Sequence, residues 1–293
     1  MKIKRSLGER IFECFNIVFM SAVIIIMAYP LLYTIFASFS DANKFIAHNG
    51  ILLAPVGFSA KAYAMVGKNS MILRGYINTL IIVGAGTTLN IILTALGAYF
   101  LSTKGPMFRK PVAFLIVLTM YFSGGIIPMY FNVMNMGLGN TYFAVILPTA
   151  INTFNLMVMR SAFESVPGAI RESAYLDGAG DWRILFKIVL PLSKATLAVM
   201  ILYYGVEHWN SWFNEALYLD DRSLYPLQLI LREILVQNDT SSMSQGIMME
   251  DQAAIGETIK YAVTVVATVP ILCVYPFLQK YFEKGAMLGA VKE

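Results

Sequence analysis

Apolar positions in this chain gather into runs of about 20 residues, separated by short polar breaks and three long polar stretches. A helix rising 1.5 Å per residue needs about 20 residues to cross roughly 30 Å of hydrocarbon. Six such runs are legible, at about 13–37, 77–101, 111–133, 141–159, 195–216 and 258–282. The pattern predicts an all-α polytopic membrane protein with six transmembrane helices, organised as a single transmembrane domain over residues 1–293. The first run follows Lys2, Lys4, Arg5 and Arg10 and so imitates a signal peptide. It is too long for one, contains Pro30 and lacks a small-residue cleavage site, so it reads as a retained helix.

The polar stretches fall at about 38–76, 160–194 and 217–257, and loops of this length usually carry function. Within 160–194, Ser165 is placed to cap a helix and Pro167 suits its first turn. That helix should run to about Asp177, where Gly178 can adopt the left-handed conformation that stops it. Asp181 would cap a second helix, ended or kinked by Pro191. The product is a helix–turn–helix with Arg171, Glu172 and Tyr175 near one another and the small residues Ala174 and Gly178 permitting close approach. It could insert into a groove of another protein or lie as an amphipathic hairpin on the membrane surface.

Charge orients this plan. Of the 22 Lys and Arg residues, 15 fall in the two tails and the second and fourth loops, against seven on the opposite side, mostly in long loops. The positive-inside rule therefore puts both termini and the 160–194 loop in the cytoplasm, with 38–76 and 217–257 outside. Hydrophobic residues make up 57% of the chain and charged ones 14%, where a soluble domain would carry roughly a quarter charged. The net charge of +4 is dispersed over loops, so it reports topology and argues against nucleic-acid binding. Cys14 and Cys273 both sit in apolar runs and suggest no disulfide framework.

Catalytic chemistry is not indicated. The chain lacks a Gly-x-x-x-x-Gly-Lys-Ser/Thr phosphate cradle, lacks a His-Glu-x-x-His motif, and with only His48 and His208 offers no histidine-rich metal site. The fifth run is the most informative for a solute path. On one continuous helix Glu207, His208, Asn210, Ser211 and Asn214 share an arc, with Trp209 and Phe213 opposite and Trp212 beside them. Ionisable groups in a span face a bundle interior or a wet cavity, so the arc either lines the pathway or bonds to neighbouring helices. The tryptophans serve as an aromatic wall for sugar rings or as interfacial anchors. Asn78, Asn90, Asn152 and Asn155 read as interhelical hydrogen-bonding positions. Gly124, Gly125 and Pro128 could break the third run.

The inner loop also carries a resemblance. Glu172-Ser173-Ala174, Asp177-Gly178-Ala179 and Ile188-Val189-Leu190-Pro191 resemble the EAA signature of ABC importer permeases, with Ser173 in place of the usual first Ala. Elsewhere Tyr29-Pro30-Leu31-Leu32-Tyr33, Trp209-Asn210-Ser211-Trp212, Tyr225-Pro226-Leu227-Gln228 and the tail Lys284–Lys292 are similar to maltose-type carbohydrate permeases, closest to the branch importing complex oligosaccharides such as alginate or pectin fragments.

The resemblance implies a coupling helix at 167–183, with Arg171, Glu172, Ser173, Ala174, Tyr175, Asp177, Gly178, Ala179, Leu190 and Pro191 docking an ATPase. It further implies a second, related permease, two ATPase subunits that bind ATP and Mg, an extracytoplasmic binding protein and an oligosaccharide substrate, with no cofactor in this chain. The outer loop tip, including Ser241, Ser242, Ser244, Gln245 and Gly246, would reach the binding protein, or else is a plain connector. Two other classes stand beside this reading. One is an ATP-independent secondary transporter or channel. The other is a membrane enzyme using Glu207 and His208, although neighbours on a helix point about 100° apart and make a poor acid–base pair.

Overall fold

The computed structural model describes residues 7–105, 107–236 and 249–290. Regular structure among them is helical, with one isolated β-bridge between Ser40 and Phe58. Three helices are long and apolar enough to cross a bilayer: Leu7–Ser38, Ser70–Ser102, and the Ile255–Val274 part of the 42-residue helix Met249–Ala290. A fourth candidate is a bent pair, Asp181–Leu192 and Lys194–Asn210, meeting at 86°.

The runs at 111–133 and 141–159, expected as single spans, are each broken. The first becomes Arg109–Leu118 and Ile126–Asn135, separated by turns ending at Gly125 with φ 87° and ψ 178°. A side chain would be strained there, so the glycine fixes the break. Pro128 then falls in the first turn of the new helix, where its missing N–H costs nothing. The second run becomes Tyr142–Ile146 and Thr153–Glu164. Pro148 cannot donate to a continued helix, and Asn152 restarts it by accepting a hydrogen bond from the Asn155 N–H at 3.2 Å. Asn152 is thus a helix cap rather than an interhelical side-chain link.

By contact the chain divides into two compact units, Met1–Ser70 with Glu233–Thr268, and Met71–Arg232 with Val269–Glu293. In the first unit, Tyr33, Phe45 and Tyr261 form an aromatic triangle with ring centroids 5.5–6.3 Å apart. Phe39 stacks on Phe58 and meets Tyr63 at a tilt, and the Ser38 and Tyr63 hydroxyls bond at 2.7 Å. The helix Leu7–Ser38 keeps its apolar window wholly unburied, as suits a surface made for lipid or a partner helix.

The second unit is organised by the helix Ser70–Ser102, which buries five polar residues, Asn78, Thr79, Asn90, Thr94 and Ser102. Two of them do the same job twelve residues apart. Asn90 Nδ2 donates to the carbonyls of Thr149 (2.7 Å) and Ala150 (2.9 Å), in the break after Pro148. Asn78 Nδ2 donates to the carbonyls of Ser223 (2.8 Å) and Tyr225 (2.9 Å), in the irregular segment before Leu227–Val236. Each Oδ1 then accepts one further bond: from His208 Nε2 at 2.7 Å for Asn90, and from the Tyr142 hydroxyl at 2.8 Å for Asn78. Backbone that leaves the helix inside a membrane protein must find partners, and here one helix supplies them twice. Thr94 adds a bond to the Tyr204 hydroxyl (2.8 Å), which in turn accepts from the Asn152 N–H (3.1 Å).

Candidate functional site

The hairpin forms as the sequence suggests, with different caps. Its first helix is Gly168–Leu176 with Pro167 as N-cap, Asp177 follows at the C-cap, and Gly178 turns the chain at φ 79°. Ser165 is not the cap: it ends the preceding helix, and its hydroxyl donates to the Ala162 carbonyl. Asp181 does not cap the second helix either, since Gly180 holds that position. The Asp181 carboxylate instead accepts hydrogen bonds from the Tyr99 hydroxyl at 2.9 Å and from the Tyr175 hydroxyl. That bond holds the Tyr175 hydroxyl above its usual pKa, because ionisation would set two anions together.

Arg171 closes the arrangement. Its guanidinium donates to the Phe163 carbonyl and sits 6.0 Å from the centre of the Tyr99 ring. Ala174 is buried in a cluster with Ala98, Tyr99, Phe163 and Ile184, and its small side chain lets the hairpin pack closely. The hairpin is thereby fastened to the end of the Ser70–Ser102 helix by Tyr99, a residue with no signal in the sequence beyond closing an apolar run. Glu172, Ser173, Tyr175, Asp177 and Gly178 remain exposed, Ala179 is half-buried, and Leu176 projects at 89% exposure. An exposed leucine at a hairpin tip, on a body fixed by polar bonds from behind, suits contact with a protein partner.

The second hairpin helix carries a π-turn at Leu185–Val189, where the Leu190 N–H reaches back to the Leu185 carbonyl. Pro191 follows at once, so the widened turn falls where a proline would otherwise crowd the backbone. The 86° bend comes two residues later, at Ser193. Leu190 is half-buried and Pro191 exposed.

The polar arc expected on the fifth run is not one surface. The helix Lys194–Asn210 stops, Ser211 is extended, and a new helix runs Phe213–Tyr218, so a single 100° register cannot extend from Glu207 to Asn214. Glu207 and Asn210 are exposed on the final turn. His208 is buried at 5% exposure, donating Nε2–H to Asn90; its tautomer follows because both Asn90 amide hydrogens are already committed. Trp209, expected opposite the arc, is also buried, edge-on to Tyr76 at 6.2 Å. Ser211 and Asn214 are half-buried and Trp212 is exposed.

Sequence reasoning missed Glu215, which is fully buried with one oxygen accepting from the Ser211 hydroxyl at 2.8 Å. A helical register carried one residue past Asn214 would already place Glu215 on the same arc, between Ser211 and His208. The loop-tip residues Ser241, Ser242, Ser244, Gln245 and Gly246 lie outside the described residues.

No family model matches the sequence. Whole-chain comparison is more informative. The chain is 40% identical over 289 residues to the polygalacturonan/rhamnogalacturonan transport system permease protein YtcP of Bacillus subtilis (strain 168), across 97% of this chain and 99% of that one. It is 38% identical over 283 residues to Protein LplC of the same organism, across 97% and 95%. The crystal structure of a bacterial ABC transporter involved in the import of the acidic polysaccharide alginate holds a chain that superposes with a TM-score of 0.87 at 30% identity, across 96% of this chain and 100% of that one.

Proposed function

This chain belongs to the permease subunits of sugar-importing ABC transporters, and from that premise we propose that it forms half of the translocation pathway for an acidic oligosaccharide and docks a cytoplasmic ATPase through residues 167–183. The observation that carries the docking role is the fastened hairpin. Its exposed tip, Leu176 to Gly178, belongs to a hairpin that Asp181 and Arg171 tie to Tyr99 at the end of the helix Ser70–Ser102, an attachment through which a push on the tip would reach the span. Flexible attachment would dissipate such a push. The substrate class rests on the relatives, one a polygalacturonan/rhamnogalacturonan permease and the other part of an alginate importer.

The complete machine then contains a second, related permease, two ATPase subunits that bind ATP and Mg, and an extracytoplasmic binding protein approaching the 217–257 side. Both termini of this chain are cytoplasmic in this reading, as the distribution of basic residues requires.

Accessibility of the tip tests it. With the exposed Cys14 and Cys273 first replaced by Ser, Leu176→Cys should react with a membrane-impermeant maleimide in inside-out vesicles and not in intact cells. Assembly with the ATPase subunits should protect it. Labelling from the cell exterior would invert the topology, and unchanged labelling in the assembled complex would remove the hairpin from the ATPase interface.

A further inference from the structure

Arg232, on the helix Leu227–Val236, holds its guanidinium 4.2 Å over the Trp212 ring. Trp212 lies in the break between Lys194–Asn210 and Phe213–Tyr218 and is 37% exposed. Phe213, 46% exposed, stands perpendicular to it at 5.7 Å between ring centres. Arg232 is half-buried, and no carboxylate among the described residues forms an ion pair with it. Two residues before Trp212, at the end of the preceding helix, Asn210 is exposed while His208 and Trp209 are buried.

A guanidinium stacked on an indole keeps its planar edge free and fixed in direction, and that edge matches a carboxylate with two parallel N–H···O bonds. The aromatic corner beside it offers apolar faces of the kind on which sugar rings rest, and an amide serves hydroxyls. We propose that Arg232 on Trp212, with Phe213 and Asn210, is a subsite for one uronate unit of the transported chain, the guanidinium edge receiving its carboxylate. The proposal rests on the importer reading and adds what that reading leaves open: a residue that selects for acidic sugars. A neutral chain would find a cation here with no anion to meet it. Glu207, exposed on the same final turn, would accept sugar hydroxyls and disfavour a second carboxylate beside it.

The test uses the complete complex in proteoliposomes, with oligogalacturonides of one length, carboxylates free or methyl-esterified, each supplied at saturation on the binding protein. Arg232→Gln should lower uptake of the free acid about tenfold, the loss of one charge-assisted bidentate contact, and change uptake of the ester less than about twofold. Arg232→Lys should fall between, keeping the charge without the fork. Trp212→Leu, which removes the platform, should lower acid uptake in the same direction, while Trp212→Phe retains most of it.

Equal losses for acid and ester, or no loss for either, overturn the subsite and assign the pair to packing or to a lipid phosphate. Uptake of neither substrate by the wild-type complex, with ATP still hydrolysed, is a different result: it removes galacturonide as the transported sugar and this proposal with it, while leaving family membership untouched.

Discussion

Asn90→Leu should be the most damaging single substitution in the second unit. It removes the donor for the carbonyls of Thr149 and Ala150 and the acceptor for His208 Nε2–H, leaving three polar groups short of a partner at a buried site. At about 1–3 kcal/mol for each stranded group, discounted because carbonyls can find other donors, the loss is roughly 3 kcal/mol. For a protein of this size that lowers the melting temperature in detergent by about 5 °C. Thr88→Ala removes only an exposed hydroxyl bonded to the Gly84 carbonyl and should leave the midpoint unmoved. A melting temperature for Asn90→Leu within a degree or two of wild type would mean that the break after Pro148 does not depend on Asn90.

The second large effect belongs to Gly178. Its φ of 79° is left-handed, and a β-carbon there meets nothing within 4 Å, so the cost of substitution is backbone strain and not crowding within this chain. Alanine pays roughly 1–2 kcal/mol in that region, and a β-branched residue more. Gly178→Ala should therefore retain much of the transport activity, while Gly178→Val loses about tenfold or more as the turn opens and the tip leaves its position. Both variants should insert and fold, because the turn is exposed. Equal activity of Ala and Val would show that the left-handed turn is not what places the tip.

These two positions also mark what could and could not be read from sequence. Gly178 was legible because its signal is local: a glycine closing a short amphipathic helix has few other uses. The helical class and the longest spans were legible for a similar reason, since twenty apolar residues report their environment without knowledge of neighbours. Asn90 was only half legible. A buried asparagine in a span announces a partner, but the partner is a stretch of broken backbone some 60 residues away in sequence, exposed because Pro148 interrupts the run.

The polar arc failed for a related cause. It assumed one helical register from Glu207 to Asn214, and the extended residue Ser211 resets that register. Even before that break the arc divides, since Glu207 and Asn210 face outward while His208, 100° on from Glu207, turns to Asn90. Asp181 was identified as a cap because Asp commonly is one; only the fold brings Tyr99, 82 residues earlier, within reach of its carboxylate. Contacts made across the fold were invisible wherever either partner had an ordinary local role to play.

As one of two permeases in the membrane part of an ATP-driven importer, this chain should support uptake only while ATP is hydrolysed. Proteoliposomes containing the complete complex, with ligand-loaded binding protein outside and ATP with Mg on the ATPase face, should accumulate the oligosaccharide. Accumulation should stop when ATP is withheld or the ATPase is inhibited. Flux that persists undiminished without ATP would instead identify the chain as a secondary transporter or channel.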